Sequence, residues 1–168
     1  MTALDINGDE GVSRPDLNEL LVSQAAELAR EHLDNGYTCS QAVLLAVRGI
    51  VPRLSSADEA MFAGFGGGFG RTGRVCGAVV AATVAVSAAM MDSDAPFERE
   101  ELNLTLQRLY RDIEAEYGSL DCRQIVGLDF RDPEQSSRYR SEKHEQVCRP
   151  LVGRTVALVG QALKEADF

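Results

Sequence analysis

The chain has 168 residues, a formal charge of −9 and 45% hydrophobic residues, which suits one globular domain and excludes wholesale disorder. An acidic balance with pI near 4.7 excludes a nucleic-acid partner or an anionic membrane surface, because both need basic patches. No tryptophan and 6% aromatic residues also exclude a base-stacking platform.

In chain order, residues 1–14 read as an acidic N-terminal tail and residues 15–168 as one helical domain. Leu17, Leu20, Leu21, Ala25, Leu28, Ala29 and His32 recur at three- and four-residue steps, predicting an amphipathic helix from Pro15 to Asn35 that stops at Gly36. Thr38 with Gln41 gives a capping box for a second helix, ended by Gly49 and Pro52, and Ser56 with Glu59 opens a short third one toward Phe65. Gly64 to Gly73 is a glycine-dense loop. Val75 to Met91 follows as a central buried helix whose alanines admit close neighbours. Pro96 to Tyr117 is a charged amphipathic helix ended by Gly118, with Glu98 to Glu101 and Asp112 to Glu116 on exposed faces beside i,i+4 partners. A short helix follows Asp121, and a last helical region runs from Glu134 to Ala166, broken or kinked at Pro150. No strand-period segment occurs. The fold class is all-α, a single-domain multi-helix bundle.

The chemistry-bearing residues are Cys39, Cys76, Cys122 and Cys148. The first three stand where helices begin, and there free amide N–H groups and the helix dipole favour the thiolate, the form that attacks disulfides and binds metals. Arg74 and Arg123 are close enough in sequence to reinforce that field. On this reasoning Cys76 reacts first with an alkylating agent and Cys148, inside a helical run, among the slowest. Cys39 and Cys76 are expected to approach each other, with Cys122 or Cys148 beside the same cavity. The N-terminus lacks a signal peptide's basic and apolar regions, and no apolar stretch spans a bilayer, so the expected compartment is the cytoplasm. In that reducing compartment four cysteines suit redox or metal chemistry better than permanent bridges. Their spacing matches no zinc knuckle, but four distant thiolates suffice for an iron–sulfur cluster, or for one or two redox pairs. The alternative is a structural or interaction domain in which the cysteines are only packed.

Gly68-Phe69-Gly70-Arg71-Thr72-Gly73 matches the dinucleotide fingerprint by letter, but that motif requires a preceding strand in a βαβ unit, and here a helix precedes it. The loop is either a tight turn between packed helices or a device bringing backbone amides to Cys76 or to a cluster. In the second case Gly66, Gly67, Gly68 and Gly77 are the cofactor-approaching residues. With two histidines in the chain, hydrolytic triads and histidine-rich metal centres are excluded; His32 reads as packed and His144 as solvated.

Gly36-Tyr37-Thr38-Cys39-Ser40-Gln41-Ala42-Val43, Gly64-Phe65-Gly66-Gly67-Gly68 leading to Cys76-Gly77-Ala78, Cys122-Arg123-Gln124-Ile125-Val126-Gly127, and Cys148 together resemble the C-GCAxxG-C-C family. The resemblance spans Leu20 to Leu163. It implies a helical domain, related to a region of split-Soret cytochrome c, whose four cysteines carry electron-transfer, thiol-redox or metal-cluster chemistry with an unidentified redox partner. Ala81 and Ala82 stand where that family usually has glycine. No C-x-x-C-H occurs, so covalent haem is not implied. A homodimer is compatible with this reading.

Outside that resemblance, Asp5, Asn7, Asp9, Ser13 and Asp16 fall at positions 1, 3, 5, 9 and 12 of a calcium loop of EF-hand or dockerin type. Glu10 replaces the glycine of position 6. The competing reading is an acidic tail whose Ser13 caps the first helix.

Overall fold

The computed structural model describes residues 17–91 and 99–166. The calcium-loop residues Asp5, Asn7, Asp9, Ser13 and Asp16 lie outside them, as do the expected helix starts at Pro15 and Pro96.

The all-α expectation holds. The helices are α1 (Leu17–Asp34), α2 (Cys39–Val47), α3 (Gly77–Met90), α4 (Arg99–Tyr117), α5 (Cys122–Val126), α6 (Pro133–Glu142) and α7 (Arg149–Glu165), with 3-10 turns at Pro52–Leu54 and Glu59–Phe65. Among the described residues no sheet forms, and the extended pairing is one isolated antiparallel bridge, Val75 with Asp121. No described helix is long and apolar enough to cross a membrane.

Helix α3 is the centre, as its small side chains require. Ala78, Ala81, Ala82, Ala85 and Val86 are fully buried, and α2, α4 and α7 pack around them. Helix α1 lies along α7, where a Cβ at Gly160 would fall 2.5 Å from Val22, so the missing side chain sets the approach. The inward stripe of α1 is Ala25, Ala26, Ala29 and Leu33. Leu20, Leu21 and Leu28, expected to share it, are exposed, because α7 covers a strip too narrow to include them. Helix α4 inserts Thr105, Leu109 and Ile113 and leaves its charged faces in solvent. Of those charges, Glu116 reaches across to Arg154 on α7 rather than to a partner on its own helix.

Three local readings change. The turn Glu59–Phe65 is 3-10, and its cap is Asp58, which accepts from the Ala60 amide, so Ser56 does not cap it. The last helical region is divided by a π-turn, His144–Cys148, ahead of Pro150, which enters α7 in its first turn. A proline without an N–H is tolerated there, so the irregularity falls before it rather than after Cys148. His144, expected in solvent, is buried, because that π-turn faces it toward α1 rather than outward. His32 is half-buried and meets Tyr37 edge-on at 5.4 Å between ring centres.

Candidate functional site

Thr38-Cys39-Ser40-Gln41 places the first sulfur through local hydrogen bonding. The Gln41 amide donates to Thr38 Oγ1 at 3.4 Å and the Thr38 amide to Gln41 Oε1 at 3.0 Å, the reciprocal pattern of a capping box. Buried Ser40 donates to the Phe62 carbonyl at 2.7 Å and Gln41 Nε2 to the Glu59 carbonyl at 3.2 Å. These two bonds fasten the Glu59–Phe65 turn against the start of α2. Gly66 then packs so closely on Thr38 that a Cβ would lie 2.7 Å from Thr38 Cγ2.

From there the glycine loop turns left-handed. Gly67, Gly68, Phe69, Gly70 and Arg71 have φ of +66°, +70°, +55°, +66° and +66°. L-residues cost about 1–2 kcal/mol each in this region, so Phe69 and Arg71 need outside support. Phe69 has the Phe65 ring, 5.2 Å away. The Arg71 guanidinium donates to Ser136 Oγ at 2.5 Å and lies 5.0 Å over the Phe130 ring. Gly68 itself admits no substitute, since a Cβ would stand 2.3 Å from the Arg74 carbonyl and 2.8 Å from Cys122 Cβ.

The isolated bridge sets Cys76 beside Cys122. The Cys76 amide donates to the Leu120 carbonyl and the Cys122 amide to the Arg74 carbonyl, both at 2.8 Å. Cys76 then caps α3 and Cys122 opens α5. This clasp is only one residue pair long and so leaves no strand signal in the sequence. Gly77 completes the approach: a Cβ there would fall 2.9 Å from Cys39 Sγ and 2.8 Å from the Phe65 carbonyl.

Cys39 and Cys76 therefore meet, and the Cys76 S–H donates to the Cys39 sulfur. That bond is the largest influence on Cys39. Burial opposes it, and the amides of Gly67, Ala78 and Ser40 add to it, drawing the thiol from 9.0 down to about 7. Cys39 is also the only one of the four cysteines that is not fully buried. Cys76 moves the other way, well above its usual range, because it is the donor to Cys39 and is desolvated. Burial pushes Cys122 up to about 12, with the Cys39 and Cys148 charges adding to it. Cys148 rises to about 11 by burial, eased by a hydrogen bond from Tyr139. Burial, then the Cys148 charge and that bond, hold the Tyr139 phenol above its ordinary range. Tyr139 carries no sequence signal, standing nine residues ahead of Cys148 on another helix.

These shifts favour Cys39 over Cys76, the thiol expected to react first. Cys76 sits at a helix start as anticipated, but it is 3% exposed, and desolvation outweighs the field of the helix end. Arg123, expected to reinforce the field, is engaged by Asp129 at 3.2 Å and by the Thr72 carbonyl at 3.1 Å. Cys39 is the thiolate-prone sulfur.

Among the described residues, the group with three potential ligand atoms mutually within 4.8 Å is Asp34, His144 and Glu145, not the cysteines. A tetrahedral four-thiolate zinc site, with bonds of about 2.3 Å, needs sulfurs about 3.8 Å apart, so the four thiols do not fit it as arranged. They do share one electrostatic neighbourhood, in which the Cys39 charge raises the other three, Cys122 adds to Cys76 and Cys148 adds to Cys122.

A family model described as "Putative redox-active protein (C_GCAxxG_C_C)" matches residues 37–162, a span that contains all four cysteines and the glycine loop. No curated protein and no solved structure matches the chain.

Proposed function

The chain belongs to the C_GCAxxG_C_C family, and from that premise we propose that it is a thiol–disulfide redox protein in which Cys39 is the attacking thiolate and Cys76 its resolving partner. One observation carries this reading: Cys39 collects the Cys76 S–H and three backbone amides while its neighbours are held protonated. A thiol with pKa near the ambient pH is the optimum attacking group in disulfide exchange.

The reaction balances as a two-electron exchange. The Cys39 thiolate attacks one sulfur of a disulfide RS–SR′, the Cys39–SR bond forms, the S–S bond breaks, and R′S⁻ leaves and takes a proton from solvent. Cys39 then carries no charge, so the hydrogen bond and the repulsion through which it held Cys76 protonated are gone. Cys76 releases its proton and attacks the Cys39 sulfur, expelling RS⁻. The substrate gains two electrons and the Cys39–Cys76 dithiol loses two. The Gly67 and Ala78 amides hold the Cys39 sulfur during the first attack, and Gly77 leaves room for the second.

The test is a trap. In Cys76→Ser a small disulfide should leave a stable mixed disulfide on Cys39, detected by mass spectrometry of the intact chain. Cys39→Ser should leave none. A mixed disulfide that accumulates on Cys122 or Cys148 instead would overturn the assignment.

A second reading rests on the repulsion that the Cys39, Cys122 and Cys148 charges exert on neighbouring thiols. Cys39, Cys76, Cys122 and Cys148 would hold an iron–sulfur cluster, which supplies one-electron chemistry when bound, and a cationic iron core would offset that repulsion. Visible absorption with iron and acid-labile sulfide analysis of anaerobic protein separates the two. Colourless, iron-free protein with two titratable redox thiols supports the dithiol.

A further inference from the structure

Beside the clasp that sets Cys76 next to Cys122 lies an open cavity of about 460 Å³. Arg74, Arg123 and Arg131 converge on it, and Asp121 is the carboxylate in its lining. Gly73 makes room for this. A Cβ there would stand 2.8 Å from Arg123 Cβ and 2.9 Å from its Nε, so a larger residue would displace the side chain. Arg123 Nη2 donates to the Thr72 carbonyl at 3.1 Å and meets Asp129 Oδ2 at 3.2 Å. Asp129 also receives Arg131, with Nε on Oδ1 at 3.2 Å and Nη2 on Oδ2 at 3.0 Å. One carboxylate is thus shared by two guanidiniums. It is held down to about 2, first by the Arg131 hydrogen bonds and then by the Arg123 charge.

These charges do not cancel. Three guanidiniums face the two carboxylates Asp121 and Asp129, an excess of one positive charge in a chain of formal charge −9. Among the described residues Arg74 has no ion pair, and Nη1 of both Arg123 and Arg131 is left uncommitted. Guanidinium forks match a carboxylate, and free N–H donors in a concave cationic site favour an anion. A single excess charge suits a carboxylate better than a doubly charged phosphate. We propose that this cavity is a subsite for a carboxylate carried by the disulfide substrate, so that the protein selects acidic disulfides over basic ones. The inference rests on the thiol-pair reading. Position links the two. Arg74 lies two residues before Cys76, Asp121 and Arg123 flank Cys122, and the Arg74 carbonyl and Arg123 amide are themselves bonded in the clasp. A substrate anchored here is held against the wall that carries Cys76, whose neighbour Gly77 packs on Cys39 Sγ.

Small disulfides of similar length but different charge provide the test: anionic dithiodipropionate, neutral hydroxyethyl disulfide and cationic cystamine. Each rate is measured on reduced full-length protein at low ionic strength and divided by the same disulfide's rate with free mercaptoethanol. Mass spectrometry assigns the cysteine modified. The chain's overall charge of −9 favours cystamine, whereas the subsite favours dithiodipropionate. On that relative scale the dianion should react about tenfold faster than the neutral disulfide, a preference that shrinks with added salt. Arg74→Gln, at an exposed position, should lower this ratio about fivefold, Arg74→Lys should retain most of it, and Asp121→Asn should raise it. Suberate, the same dicarboxylate with CH₂–CH₂ in place of S–S, should shift the Arg74 and Arg123 Nε–H signals in NMR, a readout that needs no thiol. A wild-type order in which dithiodipropionate is not the fastest, or a ratio unchanged in Arg74→Gln, would overturn the subsite while a mixed disulfide on Cys39 still supports the pair. An anion preference recorded on Cys122 or Cys148 would instead overturn the pair and support the subsite.

Discussion

Cys76→Ala removes the donor that contributes most to the low pKa of Cys39 and should carry that thiol from about 7 back toward 9.0. At pH 7 the thiolate fraction then falls from about one half to about one hundredth, some 50-fold. Nucleophilicity rises with basicity at a Brønsted slope of about 0.5, which returns about tenfold. The net expectation is a roughly fivefold slower reaction of Cys39 with a small disulfide at pH 7. The two pH–rate curves cross at about pH 8, and well above pH 9, where both thiols are ionised, the more basic one reacts about tenfold faster. Cys76→Ser keeps an O–H donor and should keep the native curve. Stopped-flow rates from pH 6 to 10 with site-resolved mass spectrometry give all three profiles. Superimposable profiles for wild type and Cys76→Ala would refute the hydrogen bond as the source of the shift.

Gly77→Ala would press a methyl against Cys39 Sγ and the Phe65 carbonyl, and should cost about 1–3 kcal/mol in a denaturant melt while slowing Cys39 exchange at pH 7. Gly68→Ala combines φ of +70° with contact on the Arg74 backbone, and should cost at least as much, about 2–4 kcal/mol in thermal or urea unfolding. Cys122 has its folded pKa raised from 9.0 to about 12, so its contribution is fully present below pH 9 and is lost as pH rises toward 12. By pH 11 that loss is roughly 3 kcal/mol, and Cys122→Ala should show a correspondingly flatter fall of urea midpoint between pH 9 and 11.

What was legible in the sequence was what hydrogen-bonding and periodicity determine locally. Thr38 and Gln41 announce the start of α2 because a capping box is complete within four residues. The alanines of α3 announce a crowded centre because small side chains suit nothing else so well. The glycine run was legible as a turn, but the left-handed Arg71 within it is supported by Phe130 and Ser136, more than fifty residues away. Convergence of Cys39 and Cys76 follows from placing both at helix starts flanking one loop. The order of their acidities does not, because it turns on which sulfur receives the Gly67 and Ala78 amides and which is desolvated. His144 sits among charges in Glu142-Lys143-His144-Glu145, so its neighbours argue for solvent. Its burial comes from the π-turn and from Asp34 on α1, over a hundred residues earlier. Leu20, Leu21 and Leu28 fit the helical period, but periodicity does not report how wide a strip the neighbouring helix covers.

The assignment of Cys39 and Cys76 as one redox couple is tested most directly by mapping disulfides in the full-length native protein equilibrated across a glutathione redox series. Samples quenched with acid and an alkylating agent should yield a Cys39–Cys76 disulfide that rises with the oxidising poise, while Cys122 and Cys148 are recovered as alkylated thiols. A Cys122–Cys148 bridge forming first, or Cys39 and Cys76 each recovered as glutathione adducts without a bond between them, would contradict the account.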